Sequence, residues 1–199
     1  AIEDADAMNT KDESYISHNW VLNNGTNVTD TSGTLSTELQ ANPTAGVSVA
    51  NFTVSGSGNQ TWAHGLGGVP EMGMLFVYNG TPYGTTYHHQ SSTTPWNNYL
   101  LATSSQAIAT LSGIWGTSKP STTLWTGLVG SLFSAGVPYT FYSFRGIEGF
   151  SKVGKYNANN SSDGPFVYCG FRPAYLLIKS VGAISWYAID SERGKINPV

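Results

Sequence analysis

Charge is what this chain has least of. Asp, Glu, Lys and Arg make up 11% of its 199 residues, with a net charge of -3, where an ordinary globular domain carries about 25% charged residues. The nine Lys and Arg are scattered, and none clusters around the aromatic residues. The cationic footprint that a phosphate backbone requires is missing, so nucleic acid is not an expected partner.

Cysteine is almost absent. Cys169 is the only one, which excludes an internal disulfide and a cysteine-built zinc cluster. Set in FVYCGF, it reads as a buried small hydrophobe. No apolar run approaches the roughly 18 residues of a membrane helix, so membrane insertion is not expected. The opening AIEDADAMNTKDES is acidic and has neither the basic nor the apolar stretch of a signal peptide. Beginning and end are abrupt, as if the chain were cut from something longer.

Helical periodicity is also scarce, and only SSQAIATL (104–111) reads as a short helix or helical turn. Aromatic and apolar residues come instead in short alternating runs: NFTVSG (51–56), MGMLFVY (72–78), YTFYSF (139–144), PFVYCGF (165–171) and YLLIK (175–179). Gly, Asn, Ser and Pro clusters separate them, which is the pattern of an antiparallel all-β chain. We expect a β-sandwich of jelly-roll type.

The chain contains an internal repeat. Residues 46–77 and 149–179 share one plan: a strand, a Gly/Ser/Asn turn, a second strand closing on Gly plus a large apolar residue, then Pro and an apolar strand. Gly46 and Gly149, and again Pro70 and Pro173, stand 103 residues apart. A second match pairs ESYISHNWV (13–21) with VPYTFYSFR (137–145) at an offset of 124. These offsets divide the chain into a closing strand of one unit (1–22), a polar connector (23–45), a complete sandwich unit (46–148) and the opening of a further, truncated unit (149–199). Gly65 and Gly170 are expected to supply positive φ or close approach, and Pro70 and Pro173 to open edge-compatible strands. Within this device His64 aligns with Cys169.

Three segments, LSTELQANPTAGVSV (35–49), AHGLGGVPE (63–71) and GFSKVGKYNANNSSDGPFVYCGFRPAYLLIK (149–179), resemble repeat domains in long structural proteins of marine tailed bacteriophages. The resemblance spans most of residues 13–199 and is weakest over 80–135. It implies a virion surface protein, such as a tail fibre, tail-tip component or capsid appendage, with sandwich-like domains; for such a module we expect assembly as a homo-oligomer with other virion proteins, and a host-surface glycan as a candidate contact. It supplies no catalytic residues and no cofactor.

The residues themselves give little for catalysis. His64 with Gly65, Gly67 and Gly68 looks superficially like an oxyanion-hole loop, but Ser55 and Ser57 sit in a turn without the strand-to-helix elbow such a nucleophile needs. Glu71 is the only acid from residue 39 to 147, and glycoside hydrolysis normally takes two. Glu148, Asp163, Asp190 and Glu192 read as solvated surface. The adjacent His88 and His89 would point to opposite faces of a strand and could not share a metal. We therefore expect no enzyme, no metal and no cofactor. The several N-x-S/T sequons follow from a composition rich in Asn, Ser and Thr.

Trp96, Tyr99, Trp115, Trp125, Tyr83 and Tyr87 lie in or beside polar loops. They are candidate contacts with a host-surface glycan or with a neighbouring subunit. A glycan-binding receptor module is thus the alternative to a purely structural one.

Overall fold

A computed structural model describes residues 22, 26–77, 84–131 and 133–191. The protein is all-β, with several antiparallel sheets. Its strands are β1 (Val28–Asp30), β2 (Thr37–Asn42), β3 (Val47–Thr53), β4 (Gly58–Ala63), β5 (Met72–Val77), β6 (Thr85–His88), β7 (Asn98–Leu101), β8 (Ala109–Thr110), β9 (Leu124–Val129), β10 (Pro138–Phe144), β11 (Tyr175–Ile178) and β12 (Tyr187–Asp190). Eight form one sheet in the order β1-β2-β3-β10-β5-β6-β7-β8, while β4–β9 and β11–β12 are two-stranded.

β10 occupies the middle of the large sheet, antiparallel to β3 on one side and β5 on the other. Its sequence explains the place. In PYTFYSF every second residue, Tyr139, Phe141 and Ser143, is buried on the inner face, as a period of two requires. β4 and β9 lie against that face and contribute Trp62 and Trp125. Trp62 meets Phe52 at 4.8 Å and Phe141 at 5.1 Å between ring centroids, and Trp125 meets Phe141 at 4.9 Å and Tyr87 at 5.1 Å. The core is thus mainly aromatic, built by offset and edge contacts that each add about 1 kcal/mol beyond area burial.

Both edges of the β4–β9 ribbon are covered. Leu35 N–H donates to Thr61 O at 2.9 Å on one side, and Leu128 N–H to Ile114 O at 3.1 Å on the other. Loops thereby satisfy backbone groups that an open ribbon would leave unpaired.

The alternating runs at 51–56, 72–78, 139–144 and 175–179 correspond to β3, β5, β10 and β11. Four other expectations fail. The supposed connector 23–45 carries β1 and β2, which extend the large sheet, with Leu35, Thr37 and Leu39 buried in alternation. SSQAIATL holds no helix and ends in β8; among the described residues the only helical element is a 3-10 turn at Pro95–Asn97. PFVYCGF is not a strand, since no described strand lies beside it. Pro70 precedes a central strand, not an edge: β5 starts two residues later, once the chain has passed the position where proline would cost a ladder bond. The closing strand expected in 1–22 lies outside the described residues, Leu22 apart.

Candidate functional site

The loop aromatics were the first candidates, and the structure turns half of them inward. Tyr87, Trp115 and Trp125 are fully buried in the core. Trp115 Nε1–H donates to Asn98 O at 3.0 Å and Trp125 Nε1–H to Ser143 Oγ at 3.0 Å. A ring in that position offers no face to a sugar or a subunit, so these three are corrected from contact residues to core. Trp96, in the 3-10 turn, and Tyr99, on β7, are half-buried against the same core. Tyr83 lies outside the described residues.

The histidine loop is equally structural. His64 is fully buried; its Nδ1 accepts the Leu66 N–H at 3.2 Å, and its Nε2 stands 3.3 Å from Ser121 O. With Nδ1 accepting, the ring is the tautomer whose Nε2–H donates to Ser121. Burial holds its pKa down to about 4, only partly offset by the Ser121 bond. Gly65 has φ of +64°, and a Cβ there would lie 2.8 Å from Leu39 Cδ2. The position thus combines positive φ with close approach of a neighbouring strand. Arg145 packs on Gly68 and donates to Leu66 O at 3.2 Å.

Glu71 next to this loop is a fastening, not a free acid. Its Oε2 accepts from Gly146 N–H at 2.8 Å, its N–H donates to Phe144 O, and its carbonyl accepts from His89 N–H, both at 2.8 Å. One residue thereby ties the ends of β10, β5 and β6 together. His88 ends β6 and His89 follows it in a turn, so the two rings do not take opposite faces as expected. Their centroids lie 5.3 Å apart. Burial, then the charge of His89, lowers the His88 pKa to about 4. Among the described residues no three His, Cys, Asp or Glu side chains gather into a group that could hold a metal.

What the fold leaves outside its core is residues 149–191. Gly149 and Gly170 have φ of +75° and +83°, matching +70° at Gly46 and +64° at Gly65. β11 begins two residues after Pro173 as β5 does after Pro70, and β11 pairs with β12 as β5 pairs with β6. The repeat therefore reproduces the β5–β6 hairpin. The residues before it, the counterparts of β3 and β4, form no strand. Their apolar side chains face solvent: Phe166 is 91% exposed, Tyr168 71% and Phe150 63%, and Leu176, Leu177, Tyr187 and Ile189 on the hairpin are exposed as well. Cys169, expected to be buried, is half-buried in this stretch. The hairpin loop is bound to the rim of the large sheet: Trp186 Nε1–H donates to Leu101 O at 2.8 Å, Ile108 N–H to Val181 O at 2.9 Å, and Lys179 Nζ to Gln106 O at 3.0 Å.

This surface escaped the sequence reading, although a signal for it exists. YLLI is apolar on both faces of a strand, which suits only a strand covered on both sides. An apolar surface of this extent marks an interaction site.

The whole chain, residues 1–199, matches the model of one family, described as a domain of unknown function (DUF7483). No curated protein and no solved structure matches it.

Proposed function

This chain belongs to the DUF7483 family, and on the chemistry of its own residues we propose a structural role: a non-catalytic module of a bacteriophage virion, in a tail fibre, tail tip or capsid appendage. Its large sheet and the β4–β9 ribbon are read as the two layers of a jelly-roll-like sandwich unit. Residues 149–191 are read as part of a second unit in tandem, and other virion proteins and further copies of this chain as its partners.

The observation that carries this reading is the exposed apolar stretch from Phe150 to Ile189 beside an otherwise closed aromatic core. Such a surface suits assembly and would be a liability on a free monomer. The phage assignment rests on the resemblance of residues 35–49, 63–71 and 149–179. The residues that catalysis would recruit, Glu71 and His64, are engaged in backbone hydrogen bonds. The glycan-binding alternative has lost the rings of Tyr87, Trp115 and Trp125 to the core.

Immunogold labelling with an antibody to this chain, on particles of a tailed phage that encodes it, tests the assignment. Gold on the particle surface is expected; unlabelled particles beside labelled cell lysate would overturn it. A glycan array probed with the same chain is expected to stay blank.

A further inference from the structure

The loop of the β11–β12 hairpin closes the far edge of the large sheet. β8 is the last strand in the order, and its inner side pairs with β7. Just past β8, Leu111 turns its N–H inward to Asn97 O, at 2.8 Å. Backbone groups alternate sides along a strand, so Ile108, three residues earlier, turns its N–H outward. There it meets Val181 O at 2.9 Å. Trp186 adds its bond to Leu101 O at 2.8 Å, at the end of β7.

Lys179 fixes this loop in place. An ammonium group has three N–H donors and no acceptor, and Lys179 Nζ lies 3.0 Å from Gln106 O, 2.8 Å from Ser180 O and 3.1 Å from Gly182 O. Each donor thus has its own carbonyl. Two of these belong to the hairpin loop and shape it, while the third belongs to the rim of the sheet and ties the loop across. Bonds from an ionised donor are stronger than neutral ones. By the repeat offset of 103, Lys179 stands where β5 has Phe76, so the lysine is no part of the repeated plan. The aromatic core does not use the hairpin either: among the described residues, none after Phe141 belongs to the core cluster.

We propose that Lys179 latches the hairpin loop over the outer edge of β8, and so keeps the large sheet from pairing edge to edge with a second copy of this chain. An open strand edge recruits other chains, and lysine is a common guard against it. The edge has no guard of its own. From Met72 to Phe144, the stretch that runs from β5 to β10, Lys119 is the only Asp, Glu, Lys or Arg, so neither β7 nor β8 carries a charge. The hairpin supplies one from outside. With the loop lifted, the Ile108 N–H and the Gln106 carbonyl are open to another strand.

Full-length Lys179→Met keeps the length of the side chain and removes the charge. Amide hydrogen exchange at Ile108 is expected to quicken by about tenfold or more, while Phe141 on the central strand keeps its protection. In sedimentation the variant is expected to form species larger than any the unmodified chain forms at the same concentration. Lys155→Met, the same loss of charge on an exposed lysine, is expected to change neither reading. If Phe141 loses protection in Lys179→Met, so that the variant does not fold, Trp186→Phe replaces it, since that change removes only the bond to Leu101 O. Three results would overturn the proposal: an Ile108 amide that exchanges as slowly as before, faster exchange without larger species, or the same larger species in Lys155→Met.

Discussion

Trp125 donates its indole N–H to Ser143 Oγ at 3.0 Å, from the β4–β9 ribbon across to the central strand of the large sheet. Ser143 faces Ser48 on β3 and Gly73 on β5 in register. Three small residues in a row form the trough that the indole occupies. A Cβ on Gly73 would lie 2.4 Å from Phe141 Cζ and 2.9 Å from Trp125.

Ser143→Ala is therefore expected to lower stability by about 1–3 kcal/mol, because it leaves a buried N–H without an acceptor. Gly73→Ala should lower it by a similar or larger amount through overpacking, typically about 1–3 kcal/mol. Urea midpoints of the two variants check this. An unchanged midpoint for Gly73→Ala would mean that the trough is looser than described.

Glu71 gives a separable prediction. Glu71→Ala removes the acceptor for Gly146 N–H and should cost about 1–3 kcal/mol. Glu71→Gln keeps an oxygen at that position and should cost clearly less. If Gln and Ala proved equally damaging, charge rather than the hydrogen bond would be the source of the stability.

Acid should weaken the fold through His64. Its folded pKa of about 4 lies below the ordinary 6.5, so between these values the unfolded chain binds more protons. The stability this provides is complete above pH 6.5, falls as pH drops below it, and is fully lost near pH 4. The upper bound is about 3 kcal/mol for a shift of this size. His88, lowered to about 4 mainly by burial, acts in the same direction. Urea midpoints at pH 7, 6, 5 and 4.5 should fall steadily, and less steeply in His64→Gln. A midpoint flat from pH 7 to 5 would show that the ring is not held neutral.

The two repeat glycines should differ in consequence. Gly65→Ala combines a φ of +64° with contacts of 2.8 Å to Leu39 and 2.9 Å to Ala41. It should cost about 2–4 kcal/mol, strain and clash together. Gly170→Ala meets only the Tyr168 hydroxyl, at 4.0 Å, and should cost about 1–2 kcal/mol, confined to residues 149–191. Thermal unfolding separates the two: the main transition shifts in the first variant and stays in place in the second.

The strands legible in the sequence are those whose alternation survives in apolar residues, β3, β5 and β10 above all. β2 is hard to see because its two buried positions, Thr37 and Leu39, stand amid polar residues, and β1 because none of its three residues is buried, so pairing there follows position more than hydropathy. Polar neighbours in sequence hide the burial of Tyr87, Trp115 and Trp125. Alternation in LWTGLV puts Trp125 and Gly127 on one face, and a Cβ on Gly127 would meet Phe133 and Trp62 within 3.0 Å. A glycine beside a tryptophan on a strand face signals a large ring packed opposite. PFVYCGF shows the reverse case: strand-like residues without a strand, because pairing is a property of neighbours and not of the segment itself.

The place of β10 has a consequence in time. It pairs with β3 and β5, whose residues precede it by roughly sixty to a hundred positions, and contacts of such long sequence separation slow folding. During synthesis at about 5–20 residues per second, the facing edges of β3 and β5 wait several seconds for the strand that closes them. Over that interval hardly any charge is present to keep the two edges from mispairing.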